Sequence, residues 1–197
     1  MSERARRLAI PLIALLFSLV ALGVAAVLTL SPSGRQAAAA AIGGPFSLVN
    51  HEGRTVTERD FRGAPHLVFF GFTHCPDVCP TKLFEISEAL AALGDRGRDV
   101  RALFVTVDPA RDTPEVMKSY IASFDPRIVG LTGDQAAIDA FVKAHRAYAR
   151  RVPTKDGDYT MEHTSFVYLM DRQGRFVSSL NVTRAPQVVA ADLARHL

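Results

Sequence analysis

The residues most suited to chemistry are the two cysteines of the chain, Cys75 and Cys79, which lie within one five-residue window. Cysteines of a disulfide framework are spread along a chain to close long loops, so this pair indicates redox or metal chemistry instead. Two thiolates that face one point can form a disulfide or bind a soft metal. An iron–sulfur cluster generally needs four thiolates and structural zinc needs four ligands, whereas two sulfurs and one imidazole suffice for Cu(I). A pair of inert, buried cysteines is the remaining alternative.

A third ligand has to come from another part of the chain, and His163 is the best candidate because it directly precedes a predicted central strand. We expect residues 158–164 to form a loop that faces the helix carrying the cysteines. His74 is the local competitor, but consecutive side chains diverge, so we expect it to pack or to cap. Asp108 ends a predicted strand at the same end of the sheet, where a carboxylate can orient His163 or tune the thiols. A turn at Asp108-Pro109 explains that residue equally well. The other histidines are interpreted as structural or exposed: His51, His66, His145 and His196.

The elements around the cysteine pair are a buried strand and the helix that follows it. Residues 66–72 (HLVFFGF) form a near-continuous apolar run, which predicts a central strand covered on both faces. The cysteines follow where this strand ends and a helix that stops at Gly94 begins, and a helix N-terminus favours thiolates. If the helix starts near Cys75, residues four apart share a face and both sulfurs point to one place. Further along, Asp112 or Thr113 is expected to cap the next helix, and we attribute Asp112 to capping.

The remaining elements complete an alternating pattern. We expect a hairpin over residues 46–49 and 54–57, strands over 101–107, 128–131, 165–170 and 175–180, and helices over 112–124, 134–146 and 186–196. A β-α-β-α-β order followed by a hairpin and a helix predicts an α/β protein with a mixed sheet and helices on both faces.

The N-terminal segment has membrane character. Arg4, Arg6 and Arg7 precede an uncharged run over residues 8–30, and a membrane-spanning helix needs roughly 20 residues. A cleaved signal peptide has a shorter apolar core of roughly 7–15 residues. We therefore expect one N-terminal transmembrane helix as an uncleaved anchor over residues 1–30, a flexible tether over 31–44 and one domain over 45–197. The arginines keep the N-terminus inside, so the domain is expected on the periplasmic side of the cytoplasmic membrane.

The charge pattern gives no support for nucleic-acid binding. The net charge is +3 and the sequence pI is about 9.1, but the basic residues are spread along the chain. No basic run is interleaved with aromatic residues.

Four segments of the domain resemble the Sco/SenC family of copper chaperones: GFTHCPDVCP over residues 71–80, VDPARDTPEV over 107–116, FDPRIVGLTG over 124–133 and DYTMEHTSFVYLMDRQGRFV over 158–177. The resemblance implies a thioredoxin-like fold that binds copper through Cys75, Cys79 and His163, with Asp108 as an acidic residue close to the metal. It also implies a role in assembly of the CuA centre of cytochrome c oxidase, with the CuA-bearing subunit as partner. The family usually has Asp before the ligand histidine. Glu162 stands there in this chain, which implies altered surroundings of the same site.

Three roles stay open at this point. The protein is a metallochaperone for Cu(I), with Cu(II) and an upstream copper donor left open, or a thiol–disulfide oxidoreductase acting on the CuA-site cysteines, or a redox or copper sensor. A thioredoxin-type enzyme normally has Cys-x-x-Cys and a proline just before the later central strand. This chain has one more residue between its cysteines, and its nearest upstream proline is Pro153, ten residues before His163. These features favour copper and leave open whether the protein is also an enzyme.

Overall fold

The computed structural model describes residues 17–23 and 42–197, which belong to two separate compact units. Residues 17–23 are helical. Within the described residues, no helix combines the length and the apolar character needed to cross a membrane. The rest of the predicted anchor over residues 1–30 and most of the predicted tether over 31–44 lie outside the described residues.

Seven strands of the second unit form one mixed sheet. Their bounds are β1 Ser47–Asn50, β2 Thr55–Thr57, β3 His66–Gly71, β4 Arg101–Thr106, β5 Ile128–Thr132, β8 Val167–Met170 and β9 Phe176–Leu180. The order across the sheet is β2-β1-β5-β4-β3-β8-β9. The three strands β3, β4 and β5 run parallel, while β1 and β8 flank them in the antiparallel direction. This is the mixed α/β sheet predicted from the order of the elements.

Helices cover both faces of the sheet, as predicted. Their bounds are α1 Val78–Leu93, α2 Pro114–Ile121, α3 Gln135–Ala144 and α4 Pro186–Ala194, with 3-10 helices at Glu58–Phe61 and Gly94–Gly97. On one face, Phe69 of β3 stacks on Phe104 of β4, which in turn stacks on Tyr120 of α2. On the opposite face, Phe70 packs against Phe141 of α3. Alternate residues of β3 thus face the two helical layers, which explains its uninterrupted apolar sequence.

A second, two-stranded antiparallel sheet was not predicted. It consists of β6 Ala149–Pro153 and β7 Tyr159–His163, so the predicted loop over residues 158–164 is wrong. Most side chains of this hairpin are half-buried or exposed, and it contains no apolar run of the kind that marks a buried strand. His163 is consequently the last residue of a strand, where it pairs with Ala149.

Two helix starts also differ from the sequence interpretation. Helix α1 begins at Val78, so Cys75 lies in the turn before the helix. Helix α2 is capped by Thr113, whose hydroxyl accepts the N–H of Val116, with Pro114 in the first turn. The attribution of Asp112 to capping is therefore wrong, because its carboxylate turns inward to other partners.

Candidate metal centre

The cysteines follow strand β3 at the carboxyl-terminal end of the parallel strands. The chain leaves Gly71 and turns at Phe72, whose carbonyl accepts the N–H of Cys75 at 3.2 Å. A Cβ atom at position 71 would lie 2.5 Å from Cε2 of Phe104 and 2.9 Å from Sγ of Cys79. Because real Cβ atoms do not approach other atoms this closely, only glycine lets the first turn of α1 pack against the strand here.

The two thiols lie at different depths. Cys79 is fully buried in the first turn of α1, whereas Cys75 is partly exposed, and both are free cysteines. The backbone N–H of Cys79 points at Sγ of Cys75 at 3.4 Å, so this sulfur accepts one of the free N–H groups of the helix end. Burial raises the pKa of the Cys79 thiol, and its hydrogen bond with Cys75 adds to the rise. Without a metal ion, Cys79 therefore keeps its proton at physiological pH.

His163 faces the sulfurs with a defined nitrogen. Its Nε2 lies 3.7 Å from Sγ of Cys79, and its Nδ1 lies 3.0 Å from the carbonyl oxygen of Thr164. Because a carbonyl only accepts hydrogen bonds, Nδ1 carries the proton and Nε2 presents its lone pair to the thiols. The ring packs against Phe69 and Phe72, and burial lowers the pKa of the imidazole. The ring is thus neutral and held in the tautomer that a metal ion requires.

The three side chains are suited to one soft metal ion. One ligand atom from each of Cys75, Cys79 and His163 lies within 4.8 Å of the others. Within residues 17–23 and 42–197, these three side chains form the group that could hold a metal ion. Bonds of roughly 2.0–2.3 Å to nitrogen and sulfur place three ligand atoms about 3.5–4.0 Å apart around one ion. A contraction of about 1 Å or less would therefore close the site. Two thiols and an imidazole form a soft donor set.

Asp108 lies beside the hairpin β6–β7. The carboxylate is buried, its Oδ1 accepts the hydroxyl of Tyr159 at 3.0 Å, and its Oδ2 lies 3.7 Å from Nε of Arg111. The carbonyl of Thr164 fills the role of orienting His163 that the sequence suggested for Asp108. Asp108 instead connects the end of β4 to the first residue of the strand that carries His163.

Glu162 and His74 do not join the three-ligand group. The carboxylate of Glu162 accepts a hydrogen bond from Arg150 of the opposite strand at 2.8 Å, and its side chain is half exposed. Neighbouring residues of a strand point to opposite faces, so Glu162 and His163 cannot face the same point. The ring of His74 is exposed and contacts the hydroxyl of Thr73 at 3.2 Å.

Asp112 is a buried residue of the site that sequence reasoning missed. Its side chain is fully buried and accepts three hydrogen bonds, from the N–H of Thr73 at 3.1 Å, the hydroxyl of Thr73 at 2.6 Å and the hydroxyl of Thr106 at 2.5 Å. Burial raises the pKa of Asp112, although these hydrogen bonds oppose the rise. Thr73 lies 39 residues away along the chain, so no local pattern signals this contact.

Comparisons with known proteins agree on one family. The SCO1/SenC family model matches residues 34–197. Protein SenC of Rhodobacter capsulatus is 39% identical over 181 residues, which cover 87% of this chain and 82% of SenC. Several eukaryotic Sco1 proteins match over 43–53% of their own length, so the chain spans about half of those relatives.

Solved structures show the same similarity. Bradyrhizobium japonicum ScoI with copper bound is 58% identical, with a TM-score of 0.77, and the match covers 80% of this chain and 100% of that one. BsSco, described as having a disulfide switch and as a member of the Sco family of cytochrome c oxidase assembly proteins, is 26% identical, with a TM-score of 0.63. That match covers 79% of this chain and 93% of BsSco.

Proposed function

Since the chain belongs to the SCO1/SenC family, we propose that it binds one copper ion through Cys75, Cys79 and His163 and serves the assembly of cytochrome c oxidase. The observation that carries the proposal is the convergence of these three ligand atoms within 4.8 Å. The 58% identity to a ScoI structure that holds copper supports the identity of the metal.

Each ligand has a distinct part in holding the ion. Cys75 is the accessible thiol and is expected to meet the incoming copper first, while Cys79 provides a sulfur that solvent does not reach. Cys79 must release its proton before it can bind, because the metal ligand is the thiolate. His163 needs no such step, since the Thr164 carbonyl already holds the proton on Nδ1. Two thiolates and one imidazole favour Cu(I) over harder cations.

In this proposal the protein delivers its copper ion to the CuA-bearing subunit of the oxidase. Three ligands leave the ion under-coordinated compared with a closed four-ligand structural site, and one of the sulfurs is partly exposed. Thiols of a partner can therefore attack the copper from the side of Cys75 and displace the ligands one at a time. The copper donor upstream is expected to reach the ion from the same side.

The location that fits this role is the periplasmic side of the cytoplasmic membrane. Residues 1–30, with their arginines and apolar run, serve as the anchor in this proposal, residues 31–44 as a tether and residues 45–197 as the copper-binding domain. The compact unit from residue 42 to residue 197 supports the boundary of that domain. Protease protection of the chain in membrane vesicles of known orientation tests the arrangement.

A copper titration of the reduced protein in the absence of oxygen tests the ligand set. The wild-type chain is expected to bind one equivalent of Cu(I) in competition with a chromogenic chelator, and His163→Ala is expected to bind it at least tenfold more weakly. His74→Ala is the matched control, because it removes an imidazole next to Cys75 that lies outside the group. Equal affinity of the two variants would refute the assignment of His163.

A thiol–disulfide function of the same pair is the second candidate. It is favoured by the different exposure of Cys75 and Cys79, which suits an attacking and a resolving thiol, and by the disulfide switch described for BsSco. In that case both cysteines are required and His163 is dispensable, and reduction of an oxidised CuA-site peptide proceeds in the presence of a copper chelator. Under the copper proposal, the copper-loaded protein transfers its ion to the reduced peptide, and His163→Ala does not.

A further inference from the structure

We propose that the turn over residues 108–112, here called the bracket, sets the distance between the two thiols of Cys75 and Cys79 (the thiol half of the site) and the ring of His163 (the imidazole half). Its residues contact both the loop that carries the cysteines and the hairpin that carries His163. The proposal deepens the proposed function and rests on it for its consequence, which is tight copper binding. The geometry of the copper-free protein can be tested by itself.

The thiol side of the bracket is Asp112. Its carboxylate accepts hydrogen bonds from the backbone N–H and the hydroxyl of Thr73, two residues before Cys75. It also accepts one from the hydroxyl of Thr106 at the end of β4. Hydrogen bonds to a charged group are the strong ones, and these are shielded from water. Asp112, which is distant in sequence, therefore fixes the loop before Cys75 to the end of β4.

The imidazole side of the bracket is formed by Arg111 and Asp108. The guanidinium of Arg111 lies 3.5 Å from the centre of the Tyr159 ring, donates to the Tyr159 carbonyl at 3.0 Å and pairs with Asp158. Asp108 accepts the hydroxyl of the same tyrosine. Tyr159 begins β7 and His163 ends it, so these contacts fix the start of the strand whose last residue is the imidazole ligand.

The bracket itself is closed by its own backbone. The N–H groups of Arg111 and Asp112 both donate to the carbonyl of Asp108, at 3.1 and 3.0 Å. The N–H of Asp108 donates to the hydroxyl of Thr106 at 2.9 Å, which ties the turn to the end of β4. A single rigid turn thus carries the contacts to both halves of the site. A site held close to its loaded geometry loses less free energy to reorganisation when the metal binds.

Hydrogen exchange of the reduced, copper-free full-length chain tests the bracket with two variants and two matched controls. Thr73→Val removes one bond to Asp112, and Thr57→Val removes a Thr–Asp bond of 3.0 Å outside the bracket. Arg111→Lys removes the guanidinium that contacts Tyr159 and Asp158 of the hairpin. Arg127→Lys removes a guanidinium of equal exposure (18%) that binds Asp125. Lysine keeps the charge in both cases but lacks the planar guanidinium that makes several hydrogen bonds and, in Arg111, stacks on Tyr159.

Each bracket variant is expected to loosen its own half. Thr73→Val should speed exchange over residues 73–79 by roughly ten- to a hundredfold, the factor for one hydrogen bond to a charged group, with residues 149–163 unchanged. Arg111→Lys should show the reverse pattern. Both should weaken Cu(I) binding at least fivefold in chelator competition, while the two controls leave it unchanged.

Two outcomes overturn the proposal. In one, the bracket variants change exchange no more than their controls do. In the other, exchange rises evenly along the chain, which indicates a general loss of stability. If instead the exchange pattern is as expected but the wild-type chain binds no copper, the positioning role of the bracket is supported and the proposed function is refuted.

Discussion

Replacing Gly71 by alanine adds one methyl group at the point where β3 meets Cys79. That group would lie 2.5 Å from Cε2 of Phe104 and 2.9 Å from Sγ of Cys79, and both neighbours are fully buried. Since an aromatic ring and a helix-borne sulfur cannot move aside without displacing their own neighbours, we expect a loss of about 1–3 kcal/mol in the free energy of unfolding, the usual range for overpacking. The sulfur must also shift, so copper affinity should fall at least tenfold.

Gly130→Ala is the matched control for this experiment. Gly130 lies in β5 of the same sheet, and its added Cβ would meet Cε of Met117 at 3.1 Å. Methionine is flexible, so it can give way, and a loss below about 1 kcal/mol is expected with copper affinity unchanged. Urea unfolding of the reduced, copper-free protein measures the first quantity, and chelator competition measures the second.

If Gly71→Ala unfolds at the same urea concentration as Gly130→Ala, the close approach at Gly71 does not limit the packing of β3 against α1. If Gly71→Ala is destabilised but binds copper as tightly as the wild-type protein, the close approach matters for packing alone and does not hold Cys79 in place.

Three further expectations follow from the buried and exposed charges. Burial lowers the pKa of His66 from 6.5 to about 4. Because the unfolded chain binds more protons between these values, His66 alone should lower the free energy of unfolding by about 3 kcal/mol as the pH drops from 6.5 to 4. Urea titrations at several pH values should show that this share of the acid-induced loss is absent from His66→Gln. Copper must displace the proton that burial holds on Cys79, so chelator competition should show affinity rising at least tenfold per pH unit between pH 6 and 8; a flat profile would mean that Cys79 is already ionised. Glu162→Gln breaks only a half-exposed ion pair with Arg150, so calorimetry should find the melting temperature unchanged and copper titration an affinity within threefold of wild type.

The central sheet was predictable because its signals are local. The apolar run of β3, the Pro114 start of α2 and the Gly94 end of α1 each depend on residues close in sequence. The hairpin β6–β7 lacked such a signal, since its strands are half-exposed and charged and are held by pairing with each other. The predicted loop at His163 failed for that reason.

The site was predictable to the extent that residue type determines chemistry. Two cysteines at one turn and a histidine before a buried strand could be singled out, and the structure brings Cys75, Cys79 and His163 together. The partners that orient them could not be found in the same way. Thr164 acts through its backbone carbonyl, which any residue possesses, and Asp112 reaches Thr73 only after β3 and β4 have paired.

X-ray absorption of the copper-loaded protein tests the central claim most directly, because it counts the atoms bound to the metal. The expected spectrum has two sulfur neighbours and one imidazole nitrogen around Cu(I), and the nitrogen contribution disappears in His163→Ala. A wild-type spectrum with sulfur neighbours alone, or with no sulfur, would contradict the three-ligand site formed by Cys75, Cys79 and His163.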